Sequence, residues 1–203
     1  MKKRLLLLLL LLSVTASDGA SHAADLALEG METLRGGFAG ITDFSAEITQ
    51  EKQLALMKKK MVSKGVVRFK KPDTFFMELY PPHASRLLLK DNVMTIRLTE
   101  QGITDRVVLP PEEGLKKWFD YLARPVKALP EGVDVKAERH GKQWTMQLFP
   151  KSKGSVQQLT LIFDLAGTIS KIAIEERNRD RTTLVFTKIR RNGGLQDKDF
   201  RTE

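Results

Sequence analysis

The chain has 203 residues, 34 Lys and Arg against 25 Asp and Glu, a formal charge of +9 and no cysteine. That length suits one well-buried domain. The missing cysteines exclude disulfide support and a cysteine-linked lipid, and they argue against a zinc or iron–sulfur site.

The N-terminus reads as a secretory signal. Lys2, Lys3 and Arg4 precede Leu5–Leu12, an eight-leucine run too short to span a bilayer. Ser21-His22-Ala23 places small residues where a signal peptidase reads, so cleavage is expected after Ala23, with Ala24 as the alternative. Residues 1–23 are thus the expected signal peptide and residues 24–203 a single domain of 180 residues. Without Lys2, Lys3, Arg4 and Asp18, that domain has 31 basic and 24 acidic residues, about +7. Its expected location is the periplasm.

Ala24–Phe38 reads as a helix. Ala27, Met31, Leu34 and Phe38 form one apolar stripe, Asp25 is a plausible N-cap and Gly36-Gly37 ends or frays the last turn. From Asp43 the period falls to 2, with Phe44, Ala46 and Ile48 on one face. Leu54–Met61 follows, interrupted by Lys58-Lys59-Lys60, which marks a hairpin tip or an exposed strand end. Gly65–Lys70 and Phe75–Tyr80 then read as two strands meeting at Lys71-Pro72, where proline disfavours helix. Phe75, Met77 and Leu79 share a wholly apolar face; Thr74, Phe76, Glu78 and Tyr80 share the other. Long flexible and flat side chains suit an adaptable surface, so this face is read as lining a hydrophobic cavity. An ordinary sheet core is the competing reading.

Pro81-Pro82 breaks the pattern. Arg86–Lys90, Val93–Thr99 and Asp105–Leu109 read as strands joined at Asp91-Asn92 and Gln101-Gly102. Glu112–Ala123 reads as a second helix, with Leu115, Trp118, Phe119 and Leu122 on one face; it is a lid or a plain packing helix. Five more strands follow: Val133–Arg139, Lys142–Phe149, Gln157–Asp164, Thr168–Asn178 and Arg181–Arg190. Asn192–Glu203 reads as a polar tail, poorly ordered except around Phe200. The sum is α+β, mainly β: a curled antiparallel sheet of roughly ten strands whose concave face two helices could cover.

Chemistry for an enzyme is missing from the pattern. His83 and His140 each stand alone in a turn, and no GxSxG, SxxK, Walker A or GxGxxG motif occurs. No catalytic residue, metal or cofactor is expected. The basic residues are spread without an aromatic-interleaved motif and export argues against nucleic acid, so anionic head groups or an acidic protein surface fit the charge better.

Several stretches resemble the periplasmic outer-membrane lipoprotein carrier family, the LolA-like proteins. They are Phe44-Ser-Ala-Glu-Ile-Thr-Gln50, Gly65-x5-Lys71-Pro72-x2-Phe75-x-Met77-x-Leu79, Pro82 with Leu87–Asn92, Trp118–Ala123, and Leu159–Arg190 with Asp164-Leu-Ala-Gly167-Thr168. The resemblance implies an incomplete β-barrel with a helical lid over an apolar cavity for acyl chains. It implies carriage of triacylated lipoproteins from an inner-membrane release complex to an outer-membrane receptor, by a monomer. Phe75 and Met77 then occupy cavity-wall positions, Met77 where an aromatic is usual. Lys71 stands where the family has an arginine that hydrogen-bonds lid backbone. The expected lipid-binding set is Phe44, Val67, Phe69, Phe75, Met77, Leu79, Leu88, Ile96, Trp118, Leu122, Trp144 and Met146, with Met31, Leu34, Phe38 and Lys71 in the lid. Val-Met-Thr-Ile-Arg-Leu after Asn92 lacks the family's Trp/Tyr pair, and the tail ends soon after Phe200, short of the family's C-terminal loop and strand. These departures admit another envelope lipid as cargo, bound or sensed with a membrane exporter as partner.

Overall fold

The computed structural model describes residues 18–57, 60–109, 124–151 and 153–201, with side chains from Ala23 onward. The expected helix over residues 112–123, with Trp118 and Leu122, lies outside the described residues, as do the leucine run and Lys58-Lys59.

The helix α1 spans Asp18–Ala39. Eleven strands follow: β1 (Asp43–Gln53), β2 (Met61–Lys70), β3 (Thr74–Leu79), β4 (Ser85–Lys90), β5 (Val93–Leu98), β6 (Ile103–Val108), β7 (Val133–His140), β8 (Gln143–Pro150), β9 (Val156–Asp164), β10 (Ile169–Glu176) and β11 (Arg181–Arg191). They form one antiparallel sheet in the order β6-β5-β4-β3-β2-β1-β11-β10-β9-β8-β7. β6 and β7 are its two edges, so the sheet is open, as an incomplete barrel requires. Two meanders, β1–β6 and β7–β11, join where β1 pairs with β11.

The strand pattern follows the alternation in the sequence. Asp91 and Asn92 both adopt positive φ, giving β4–β5 the tight turn that Asx residues tolerate. Lys71-Pro72 lies in the turn between β2 and β3, as expected of a proline corner. Register then fixes the faces. Phe69 pairs with Phe75, Val67 with Met77 and Gly65 with Leu79, and across the other flank Phe44 pairs with Phe69 and Ala46 with Val67. These residues therefore share one face, the concave one.

Two expectations for α1 are corrected. The helix begins before Asp25, which is no cap but a residue within it. Gly36-Gly37 does not end it either. Gly37 is buried where the helix backbone meets the β9–β10 turn at Gly167, and a Cβ at Gly37 would collide with Gly167 main chain. The glycine is a contact point rather than a stop.

Two apolar clusters fill the concave side. In the first, Ala27, Met31 and Leu34 of α1 pack on Ala137, Trp144, Met146, Leu148, Leu161 and Phe163 of β7–β9. In the second, Ala46, Ile48, Val67 and Leu79 are flanked by Phe44, Phe75, Met77, Leu184, Phe186 and Ile189. The C-terminal segment is more firmly held than its composition suggests. The buried Asp43 carboxylate accepts the Gly193 and Gly194 N–H groups at 2.8 and 3.1 Å, and Asn192 ties Thr42 and Gly40. A 3-10 turn, Asp197–Phe200, then packs against β3 with Phe200 buried. A polar tail reads as loose because its partners lie about 150 residues away in sequence.

Candidate functional site: an apolar cavity on the concave face

Between the two clusters lies a cavity of about 220 Å³. Phe38 and Ile41, at the end of α1, form one wall. Phe44, Phe69 and Phe75 of β1–β3 form the second, and Ile172, Leu184, Phe186 and Ile189 of β10 and β11 the third. The Phe44 and Phe69 rings are tilted against each other with centroids 5.6 Å apart. Strand alternation brings every one of these β1–β3 side chains to the same side, which is why the wall is continuously apolar. The polar exceptions stand with Gly167 and Thr168. Arg191 donates to the Thr168 hydroxyl at 2.6 Å, which orients a guanidinium at the cavity's border.

The end of α1 is tethered rather than locked. Lys71 Nζ donates to the Phe38 carbonyl at 3.4 Å. Glu32 accepts from the Arg35 guanidinium at 2.8 Å and from the Val126 N–H at 2.9 Å. The Arg35 hydrogen bond first, and the Val126 N–H second, hold the Glu32 carboxyl below its ordinary range. Arg139 of β7 pairs with Glu29 at 2.9 Å. A second hollow, about 290 Å³, opens at the far end of the same strands. It is mixed, with Gln50, Lys52, Ser63, His83, Ser85, Glu100 and Gln101 beside Met61, Leu79, Ala84 and Leu98.

The expected site residues divide accordingly. Phe44, Phe69, Phe75 and Phe38 line the cavity. Val67, Met77 and Leu79 lie in the adjoining cluster on the same face. Ile96 pairs with Leu87, which pairs with Met77, so it continues that face two strands further. Leu88 does not: it pairs with Phe76, and the alternation puts it on the outer surface. Trp144 and Met146 are sealed beneath α1 in the first cluster, as are Met31 and Leu34. These four pack a solid interior and do not line the hollow. Sequence reading missed Ile41, Ile172, Leu184, Phe186, Ile189 and Arg191. Ile172 and Leu184 are paired with each other, and Phe186 pairs with Ile48, but only the β1–β11 register reveals that they face Phe75.

The family model of the outer membrane lipoprotein carrier protein LolA matches residues 39–203, which takes in every strand of this sheet. The chain belongs to this family. Among solved structures, a DUF1329 family protein from Desulfovibrio piger ATCC 29098 is similar at TM-score 0.51 and 11% identity, covering 87% of this chain and 98% of that one. A putative outer membrane lipoprotein-sorting protein domain from Vibrio parahaemolyticus has a TM-score of 0.48 at 12% identity, covering 87% and 97%. A LolA superfamily protein from Nitrosomonas europaea has 0.45 at 11%, covering 87% and 97%. At such identities the likeness speaks only to the fold. A search of curated protein sequences gives no match. In this LolA-family chain the concave side is apolar around the cavity. Among the described residues no helix is long and apolar enough to cross a membrane.

Proposed function

We propose that this protein is a periplasmic carrier whose concave cavity takes up an acyl chain of a lipoprotein or related envelope lipid and hands it on to a membrane-associated acceptor. The observation that supports this most is the apolar cavity at the end of α1, bounded by Phe38, Phe44, Phe69 and Phe75. The N-terminal leucine run supports export, and the family supports carriage rather than catalysis. An inner-membrane donor complex and an outer-membrane receptor are the partners this reading takes from the family.

The energetic problem is release. Burying a methylene contributes ~0.8 kcal/mol, so a sixteen-carbon chain would gain on the order of 10 kcal/mol and leave very slowly. A carrier needs that gain offset. Here the offset comes from the protein's own apolar groups. Phe38 and Ile41 occupy the cavity border in the present state. Cargo that displaces them exchanges one burial for another. The cavity of about 220 Å³ is below the 300–1,000 Å³ usual for a ligand pocket, so this state is a contracted one that cargo must widen. Its size favours one chain at a time over three together. That same observation keeps a smaller envelope lipid, bound or sensed with an exporter as partner, as the second reading.

The experiment is lipid extraction and mass spectrometry on protein purified from the periplasm without detergent, alongside Phe75→Glu. The wild type is expected to carry acyl-bearing material and the variant none, because a carboxylate would have to be buried unpaired. Wild-type protein that never carries any lipid or lipoprotein ends the carrier reading.

A further inference from the structure

The charge on the outer surface is unevenly placed. On β1 and β11 the outward residues nearly balance: Glu47 and Glu51 stand against Arg181, Lys188 and Arg190. The outer side of β7–β10 is mixed, with Asp134, Glu138 and Glu175 against Lys136 and Lys171. On β2–β6 it is one-sided. Arg68 and Lys70 point outward from β2 with their partners Phe76 and Thr74, and alternation puts Lys64, beyond Val66, on the same side. Arg86 and Lys90 follow on β4, Arg97 on β5 and Arg106 on β6. Glu78, bound to Arg86 at 2.8 Å, is the one acidic residue among the outward positions of these five strands. Over β2 and β3 the C-terminal turn engages two of the bases, Asp197 pairing with Lys70 at 2.8 Å and the Asp199 carbonyl accepting from Arg68 at 3.3 Å, so the excess positive charge rests on Lys64, Lys90 and Arg106 and their neighbours.

We propose that the outer face of β2–β6 docks on an anionic lipid surface, with the basic side chains on phosphate-bearing head groups. Five strands at about 4.8 Å spacing spread these charges over about 20 Å, more than twice the screening length of about 8 Å in physiological salt. Only a partner equally broad feels all of them, and a bilayer is broad and flat. Aliphatic side chains lie among the charges. Val62 is 53% exposed and Val108 76% exposed, at opposite flanks of the face, where they can enter the head-group layer. Nucleic acid would want exposed aromatics for stacking. Of the aromatics on this face, Phe76 is buried beneath the Arg68 guanidinium, 5.4 Å from its ring centroid, which leaves Tyr80, just past the end of β3, as a single exposed ring rather than a stacking platform. The cavity lies on the other face of the sheet, over β1–β3, β10 and β11. A docked molecule therefore keeps it free for a partner, and docking stands apart from whether the cavity carries lipid.

The test is flotation of periplasmically purified protein with vesicles of phosphatidylcholine alone or with 30% phosphatidylglycerol, at low and high salt. Binding to the anionic vesicles only, lost at high salt, is expected. A combined Lys64→Glu, Lys90→Glu and Arg106→Glu variant, all at exposed positions, should bind at least tenfold more weakly. Lys127→Glu, Lys142→Glu and Lys153→Glu together make the same change in net charge elsewhere and should cost under threefold. Comparing vesicles that differ only in charge cancels any contribution of the leucine run. Equal binding to both vesicle types, equal loss in both triple variants, or retention on polyglutamate with no vesicle binding overturns the proposal.

Discussion

Lys71 meets α1 by a single donor to a single carbonyl, at the long end of hydrogen-bond distance. An exposed bond of that kind is worth roughly 1 kcal/mol. Lys71→Met keeps the aliphatic stem and removes the donor. Entry of a fluorescent fatty-acid probe should then speed up about fivefold, while Lys71→Arg, with a wider fork of donors, should slow it. Equal rates for all three would mean that the end of α1 moves without breaking this contact. Trp144 makes the opposite point. Its ring stacks on Phe163 at 6.2 Å in the sealed cluster, and its Nε1–H has no hydrogen-bond partner among the described residues. A buried orphan donor costs about 1–3 kcal/mol. Trp144→Phe removes that cost along with part of the packing, so it should destabilise by less than about 2 kcal/mol in urea titration. Phe163→Ala, which only opens a void, should destabilise by about 3–5 kcal/mol.

The helix α1 has two roles along its length, and the sequence showed one stripe. Ala27, Met31 and Leu34 are sealed against β7–β9, whereas Phe38 borders the hollow. Periodicity marks which face is buried; it does not say whether the neighbour is a wall or a space, since both want apolar side chains. The strands were more legible. Alternation placed Phe75, Met77 and Leu79 together and the turn residues marked most strand ends, but Leu88 sits within Leu87-Leu88-Leu89, where alternation gives no phase. The third wall of the cavity depends on β1 pairing with β11, a contact across the whole chain that no local pattern announces. Gly37 is the other misread signal, and it has a direct consequence. Gly37→Ala would push the helix off the Gly167 turn, where both sides are backbone and neither can yield. A loss of about 1–3 kcal/mol is expected, against no measurable loss for Gly36→Ala, where nothing lies nearby. The tether through Glu32 is pH-dependent with a definite sign. Its carboxyl is held below the usual range in the folded state, so its contribution is present above the unfolded carboxylate value and fades as pH falls through the folded one. The gap in urea midpoint between wild type and Glu32→Gln should be present at pH 6 and close in acid. A gap that widens in acid would contradict the bonding to Arg35 and Val126.

At the scale of the whole sheet, the two clusters divide the molecule into a fixed half and an adaptable one. On β7–β9 large side chains are sealed under α1, and a close-packed interior of that kind has no room to admit a chain without losing its own contacts. On β1–β3 and β10–β11 the flanking side chains are half-buried around an existing hollow. Widening there costs little because the contacts being broken are already incomplete. Cargo uptake should therefore leave one half unchanged and alter the other. Amide hydrogen exchange with and without bound fatty acid measures this directly. Altered protection is expected over Phe38–Phe44 and Leu184–Ile189, with none over Ala27–Leu34 or Leu159–Phe163. Should protection in β8 and β9 fall on loading, α1 lifts as a whole, and the sealed cluster under it is part of the binding site after all. The open edges at β6 and β7 make the local response possible. A closed barrel would carry a displacement of β11 around its circumference, whereas an open sheet lets one half flex while the other holds its register.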